Sequence, residues 1–259
     1  CKPVEGDRCA FGELDAPLGL ELIGDSHAQH YVAALDPLLK ERHLRGEVTT
    51  DFRCGILEGL VLEDKRADHC RATRDRELAH VAKNSAPMMI SQNWVLYSND
   101  AVSLDGQRAS EGGRERPYSL VQKSLERTIQ DMSREGRTFL IVGAQITTQP
   151  DCAFGISRRL PASLRPAIPF NCNIKTRAHA ESEKTQINTM LREVQAELPD
   201  RVRLLIPAQC FCEKDCPNVQ DGVLLYTDNE HFSVAGSKYI GARANKLLAD
   251  FLRPKAAIN

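Results

Sequence analysis

The chain has 259 residues, of which 42% are hydrophobic and 27% charged, and its formal net charge is −1. That length suits one α/β domain with a large buried core, and the composition is that of an average soluble globular protein. The near-zero charge gives no bulk attraction to nucleic acid or to an anionic membrane, and no apolar run approaches the ~20 residues that span a bilayer.

In chain order, residues 1–19 read as an N-terminal extension, followed by a first strand at Leu20–Ile23. A helical stretch at Ala28–Arg45 contains Pro37, where it should kink or split. A strand at Glu47–Phe52, a helix at Ala72–Lys83 and a strand at Pro87–Ser91 come next. Ser98–Pro117 is polar and rich in Gly, Ser and Arg. A helix at Ser119–Arg134 then leads into a strand at Thr138–Gly143, within which Phe139–Val142 is the most apolar run of the chain. Gln145–His179 is a second irregular stretch, with Pro150, Pro161, Pro166, Pro169 and two cysteines. The remaining elements are a helix at Glu181–Glu197, a strand at Val202–Ile206 and a helix at Val234–Leu252 with Ser233 as its N-cap. In that last helix Ile240, Ala244, Leu247, Leu248 and Phe251 share one apolar face.

Strand and helix alternating five times predict an α/β fold, a three-layer α/β/α sandwich around a central parallel sheet of about five strands. The two long irregular stretches follow strands, so they should emerge at the carboxyl edge of the sheet, where such folds bind ligands.

The nine cysteines fall into local groups: Cys1/Cys9, Cys54/Cys70, Cys152/Cys172 and Cys210/Cys212/Cys216. Short-range pairs of this kind read as disulfides made in an oxidising compartment. Zinc held by Cys210, Cys212 and Cys216 is the competing reading, disfavoured because no CxxC pair accompanies them. The odd count leaves one cysteine free or paired outside the chain. With no signal peptide, an abrupt start at Cys1 reads as excision from a larger protein, or as the start of a mature lipoprotein.

Two motifs carry chemistry. Gly24-Asp25-Ser26-His27 joins the first strand to a helix, which presents the Ser26 hydroxyl at the sheet's carboxyl edge beside a helix amino terminus that favours developing negative charge. Asp228-Asn229-Glu230-His231 precedes the last helix, and Asp and His three residues apart can place a carboxylate against an imidazole. A nucleophilic serine needs such a base, and the base needs such a carboxylate. Each motif alone also fits an ordinary capped turn, but in a doubly wound sheet the two can meet at one edge. Ser26, His231 and Asp228 are therefore the candidate nucleophile, base and orienting carboxylate.

Together these residues resemble the SGNH hydrolase superfamily. Cys54-Gly55 after the second strand and Ser91-Gln92-Asn93-Trp94 after the third match further blocks, although Ser91 and Trp94 depart from the Gly-x-Asn-Asp pattern. The resemblance spans about Leu20 to Leu252, makes 20–259 the catalytic domain, and implies an oxyanion hole built from the N–H groups of Ser26 and Gly55 and the Asn93 amide. GDSHA and LLYTDNEHFSVAG look more narrowly like the periplasmic SGNH domains fused to bacterial acyltransferase type-three membrane proteins, which O-acetylate surface polysaccharides. That likeness implies Cys54–Cys70 and Cys212–Cys216 pairs, with Cys1–Cys9 and Cys152–Cys172 by proximity and Cys210 left over.

The expectation that follows is O-acetyl transfer through acyl-Ser26 to a hydroxyl of a cell-surface polysaccharide. The acyl donor would be supplied by a membrane acyltransferase domain, in the periplasm or outside the cell, with no metal or dissociable cofactor required. A carbohydrate O-acetyl esterase is the close rival, a lipase or thioesterase a distant one, and a catalytically silent glycan-binding module the reading from a different class. Among other residues, His27 either touches substrate or supports the site, Trp94 either stacks on a sugar or fills the core, and His30 and Asp25 read as structural. Arg158, Arg159 and Arg165 face an acidic glycan or simply solvent.

Overall fold

The computed structural model describes residues 1–4, 8–62, 65–104, 107–108, 117–133, 136–148 and 175–253. Its strands are β1 (Lys2–Pro3), β2 (Arg8–Gly12), β3 (Leu18–Gly24), β4 (Arg45–Thr50), β5 (Leu60–Leu62), β6 (Met88–Ser91), β7 (Ala101–Leu104), β8 (Gln107–Arg108), β9 (Phe139–Val142), β10 (Val202–Leu205), β11 (Val219–Gln220) and β12 (Val223–Leu224). Its helices are α1 (Ser26–Gln29), α2 (Val32–Glu41), α3 (Ala67–Val81), α4 (Trp94–Asp100), α5 (Pro117–Met132), α6 (Arg177–Glu183), α7 (Thr185–Glu197), α8 (Pro207–Phe211), α9 (Val234–Arg243) and α10 (Asn245–Phe251).

The main sheet runs β1-β2-β4-β3-β6-β9-β10. The five strands from β4 to β10 pair in parallel, as the sequence predicts. The sheet is nevertheless mixed, because β2 pairs antiparallel with β4 and β1 antiparallel with β2.

Alternation along the strands builds a core on each face. Leu20 and Leu22 of β3, Met89 of β6 and Leu140 and Val142 of β9 pack on one face with Leu35 and Leu39 of α2, Ile240 of α9 and Leu248 of α10. Ile23, Met88, Ile90, Phe139 and Ile141 point to the other, against Val81 of α3, Trp94 and Tyr97 of α4, Leu125 of α5 and Leu191 of α7. This is a three-layer α/β/α sandwich.

Several expected helices divide. The first breaks at His30–Tyr31 rather than at Pro37, which lies inside α2. Proline there removes a single intrahelical bond, and burial of Leu35, Leu38 and Leu39 holds the helix together. The stretch expected from Glu181 to Glu197 divides at Lys184, and the last helix divides at Ala244. Ser233 caps α9 as predicted, its Oγ accepting from the Gly236 N–H at 3.1 Å. The stretch Ser98–Pro117 begins with the end of α4 and a short antiparallel ladder, β7 pairing with both β5 and β8.

Strand β2 is anchored by a buried ionic cluster. Arg8 donates to Glu47 of β4 at 3.0 Å, to Glu77 of α3 at 2.9 Å, to Thr49 at 3.0 Å and to Glu21 of β3. Glu21 and Glu77 are almost fully buried, so the guanidinium offsets charge that would be costly alone in the core.

Three disulfides lie among the described residues: Cys1–Cys9, Cys54–Cys70 and Cys212–Cys216. The last removes two thiolates from the zinc reading and leaves Cys210 free. The expected Cys152–Cys172 pair and Arg158, Arg159 and Arg165 lie outside the described residues.

Candidate active site

The parallel strands stand in the order β4-β3-β6-β9-β10, so successive connections leave β3 in opposite directions. The carboxyl end of β3 is therefore the switch point at which doubly wound sheets open a crevice. Gly24 ends β3 with φ 151°, and a Cβ there would sit 1.7 Å from Ser91 O of β6, so only glycine lets the two strand ends approach. Asp25 caps α1, accepting the His27 N–H at 2.9 Å, and Ser26 is the first residue of that helix.

Asp25 joins this turn to the next strand end. Its second oxygen accepts the Asn93 N–H at 2.9 Å and the Tyr97 hydroxyl at 2.9 Å. The carboxyl is 1% exposed. Burial raises its pKa, against the lowering effect of the Asn93 and His27 N–H groups and the Tyr97 hydroxyl. Asn93 Oδ1 accepts the Leu96 N–H at 3.1 Å in the first turn of α4, which leaves Nδ2 facing Glu230 Oε2 at 3.4 Å.

The remaining residues arrive on the loop before α9. Thr227 N–H donates to His231 O at 2.7 Å, Tyr226 bridges Phe232, and Thr148 N–H holds Asn229 O at 2.8 Å. Asp228 Oδ1 accepts the N–H groups of Glu230 at 2.9 Å and His231 at 2.7 Å. Its Oδ2 lies 2.8 Å from His231 Nδ1, and His231 Nε2 lies 2.9 Å from Ser26 Oγ. Partial burial raises the Asp228 carboxyl, but those backbone N–H groups and the imidazole together hold it below the usual carboxylate range. The motifs at 26 and 228–231 thus meet in a continuous hydroxyl–imidazole–carboxylate relay.

The relay borders a cavity of about 330 Å³ lined by Ser26, His27, Phe52, Asn93, Glu230 and His231 among others. Not every predicted site residue reaches it. Gly55 lines a separate, smaller cavity with Tyr97 and Cys70. Trp94 borders the Ser26 cavity but is 1% exposed, with its Nε1 donating to Val142 O at 2.6 Å. No face of its ring is open for a sugar, and Trp94 fills the core.

His27 lines the cavity, buried, with Nε2 unbonded. Burial and the nearby His231 lower its pKa to about 4, so its ring is neutral at physiological pH. It stacks on His30, whose centroid is 5.0 Å away, and both rings meet His231 edge-on. His27, Glu230 and His231 hold donor atoms within 4.8 Å of one another and are the cavity's possible metal ligands. Sequence reasoning missed Tyr97 and Phe52. The first has no local signal, and the second was legible only as an apolar residue at the end of a strand.

A family model of SGNH domains fused to AT3 domains matches residues 1–246. The chain belongs to this family. The SGNH domain is similar to the periplasmic domain of a lipopolysaccharide acetyltransferase from Salmonella ser. Paratyphi A, 12% identical, covering 90% of this chain and 84% of that one at a TM-score of 0.62. It is also similar to TesA, at 14% identity, 90% and 99% coverage and a TM-score of 0.46. At these identities the first likeness shows the fold, and the second is too distant to argue from. No curated protein matches the sequence. Membership of the SGNH family gives an acyl-transfer or esterase function, and fusion to AT3 domains implies a membrane acyltransferase domain as partner. No helix among the described residues is long and apolar enough to cross a membrane.

Proposed function

We propose that this SGNH domain transfers an acetyl group to a hydroxyl of a cell-surface polysaccharide, as the periplasmic part of a larger membrane acyltransferase. The observation that carries the reading is the relay itself, with Ser26 Oγ 2.9 Å from His231 Nε2 and His231 Nδ1 2.8 Å from Asp228 Oδ2. Fusion to AT3 domains within the family and the lipopolysaccharide acetyltransferase to which the fold is similar support the choice of acceptor.

In this mechanism Ser26 Oγ bonds to the acyl carbonyl carbon while its proton passes to His231 Nε2. Asp228 stabilises the imidazolium and holds the tautomer. The tetrahedral oxyanion is met by the Ser26 N–H, which as the first of α1 has no intrahelical acceptor, and by an N–H of Asn93 Nδ2. The Gly55 N–H is the third donor proposed for the hole. Collapse breaks the bond to the leaving group, which takes the proton from His231, and leaves acyl-Ser26. A sugar hydroxyl then gives its proton to His231 and attacks the acyl carbon; the bond to Oγ breaks, and His231 returns the proton to Ser26. No step calls on a metal or a dissociable cofactor.

Transfer and hydrolysis differ in which nucleophile reaches the acyl-enzyme. The test supplies an aryl acetate as donor and measures acetylated polysaccharide against free acetate, with and without acceptor. Acceptor should divert acetyl groups from water, and Ser26→Ala should remove both products. Rapid release of acetate from an acetylated glycan, with no capture by any acceptor, would instead establish an esterase. Full activity in Ser26→Ala would end the serine mechanism.

A further inference from the structure

We propose that Phe52 is the platform on which the substrate's sugar ring stacks beside Ser26. This inference rests on the carbohydrate reading above. Phe52 lines the Ser26 cavity yet is 62% exposed, the opposite of Trp94. A large apolar ring left open to solvent is common on protein surfaces, so exposure alone does not carry the argument. The way the ring is held does.

Residues Asp51–Cys54 form a tight turn in which the Cys54 N–H donates to Asp51 O at 3.1 Å. Arg53 occupies its third position with φ 60°, a left-handed conformation that usually calls for glycine or asparagine. The turn is fastened from both sides. The Asp51 carboxylate takes Arg66 at 2.6 Å, His69 at 2.5 Å and Thr73 at 3.3 Å. Arg66 also donates to Phe52 O, and the buried Cys54 is tied to Cys70 of α3 by a disulfide. Backbone strain of this kind persists where the surroundings enforce it, and such places cluster at functional sites. Here the enforced element leaves an aromatic ring open to solvent in the lining of the Ser26 cavity.

A pyranose suits that face. Its axial C–H bonds form an apolar patch with weakly positive hydrogens, which complement the negative face of a phenyl ring, while its hydroxyls remain hydrated around the rim. The same ring offers no hydrogen bond, so Phe52 selects for a ring-shaped substrate without selecting among sugars.

The experiment compares acetate release from methyl tetra-O-acetyl-glucopyranoside, which carries the ring, with release from ethyl acetate, which does not. For Phe52→Ala and Phe52→Leu the ratio of the two kcat/KM values should fall about tenfold, the scale of one lost aromatic contact, and Phe52→Trp should restore it. An unchanged ratio, or a Leu variant that behaves as wild type, overturns the proposal. Saturation-transfer NMR of the acetylated glucoside on Ser26→Ala gives a second reading that needs no turnover. The glucoside signals should be present there and lost in Ser26→Ala/Phe52→Ala. If the wild type hydrolyses neither ester, the acyl group does not pass to water, and the NMR measurement decides the platform. Absence of signal on Ser26→Ala overturns it.

Discussion

Replacing Asp25 tests whether one buried carboxylate holds the two halves of the site together. Its oxygens accept from the His27 N–H, the Asn93 N–H and the Tyr97 hydroxyl, each at 2.9 Å. Alanine would strand all three donors at roughly 1–3 kcal/mol each, a sum comparable with the whole stability of a domain. The informative variant is therefore Asp25→Asn, which keeps the shape. Its oxygen can still accept from His27, and the Tyr97 hydroxyl can rotate to accept from the new amide. The Asn93 N–H cannot rotate, so one donor is orphaned. The cost is about 1–3 kcal/mol, and the low end applies because Asn93 is only half-buried. For a chain of this size that is roughly 2–6 °C in Tm, read by thermal melting. Tyr97→Phe measured alone and together with Asp25→Asn completes a cycle. The two should be less than additive, since the hydroxyl bonds less strongly to an amide than to a carboxylate. Activity measured well below Tm should also drop, because Asn93 would no longer be fixed to the Ser26 turn. An unchanged Tm with full activity, or strict additivity, would refute the bridging role.

Other outcomes can be checked directly. His231→Ala should reduce ester hydrolysis about as much as Ser26→Ala, and Asp228→Ala less, because members of a triad act as a unit; the reverse order would remove Asp228 from the orienting role. His27 has its pKa lowered to about 4, so between the ordinary histidine value and about 4 the unfolded chain binds a proton that the folded chain refuses. Stability should therefore fall as pH drops from roughly 6.5 to 4, and His27→Gln should flatten that part of a urea-midpoint profile; an identical slope would refute the assignment. Thiol titration of the unfolded, unreduced protein should find about one free thiol, given the expected Cys152–Cys172 pair together with the three bridges described. Removing Cys54–Cys70 should cost about 3 kcal/mol, measured by urea unfolding.

The parts of the fold that were legible in sequence are those buried on both sides. β3, β6 and β9 are parallel strands covered by helices, so they read as plain apolar runs, and each falls within a residue or two of its expected position. α3 starts at Ala67, five residues before the expected Ala72. Its inner face carries Thr73, Arg74 and Glu77 along with Leu78 and Val81, so it lacks the apolar periodicity by which helices are recognised. The polar face has its reason in Arg8, which meets Glu77 across the sheet edge. A cluster assembled from four distant segments leaves no local trace, and for the same reason β2 was not foreseen as a strand.

The site divides along the same line. Asp228 and His231 are three residues apart, and the backbone N–H groups between them fold the carboxylate onto the imidazole, so the motif carries its own geometry. Ser26 was legible because a strand-to-helix turn fixes where its hydroxyl points. The expected role of Trp94 required knowing which way an indole faces, and that does not follow from spacing. The link between the legible pieces is Asp25, which read as a cap and is one, but whose second oxygen reaches Asn93 and Tyr97 beyond the next strand. The serine turn, the Asn93 turn and the histidine loop therefore come from three places in the chain, and each is pinned by main-chain groups: Gly24 against Ser91 O, Asn93 N–H to Asp25, and Asn229 O to Thr148 N–H. Side chains held this way need little reorganisation on binding. Asn93 Nδ2 faces Glu230 Oε2 at 3.4 Å, and its amide carries two N–H groups, so in the proposed mechanism it can donate to a substrate oxygen without giving up Glu230.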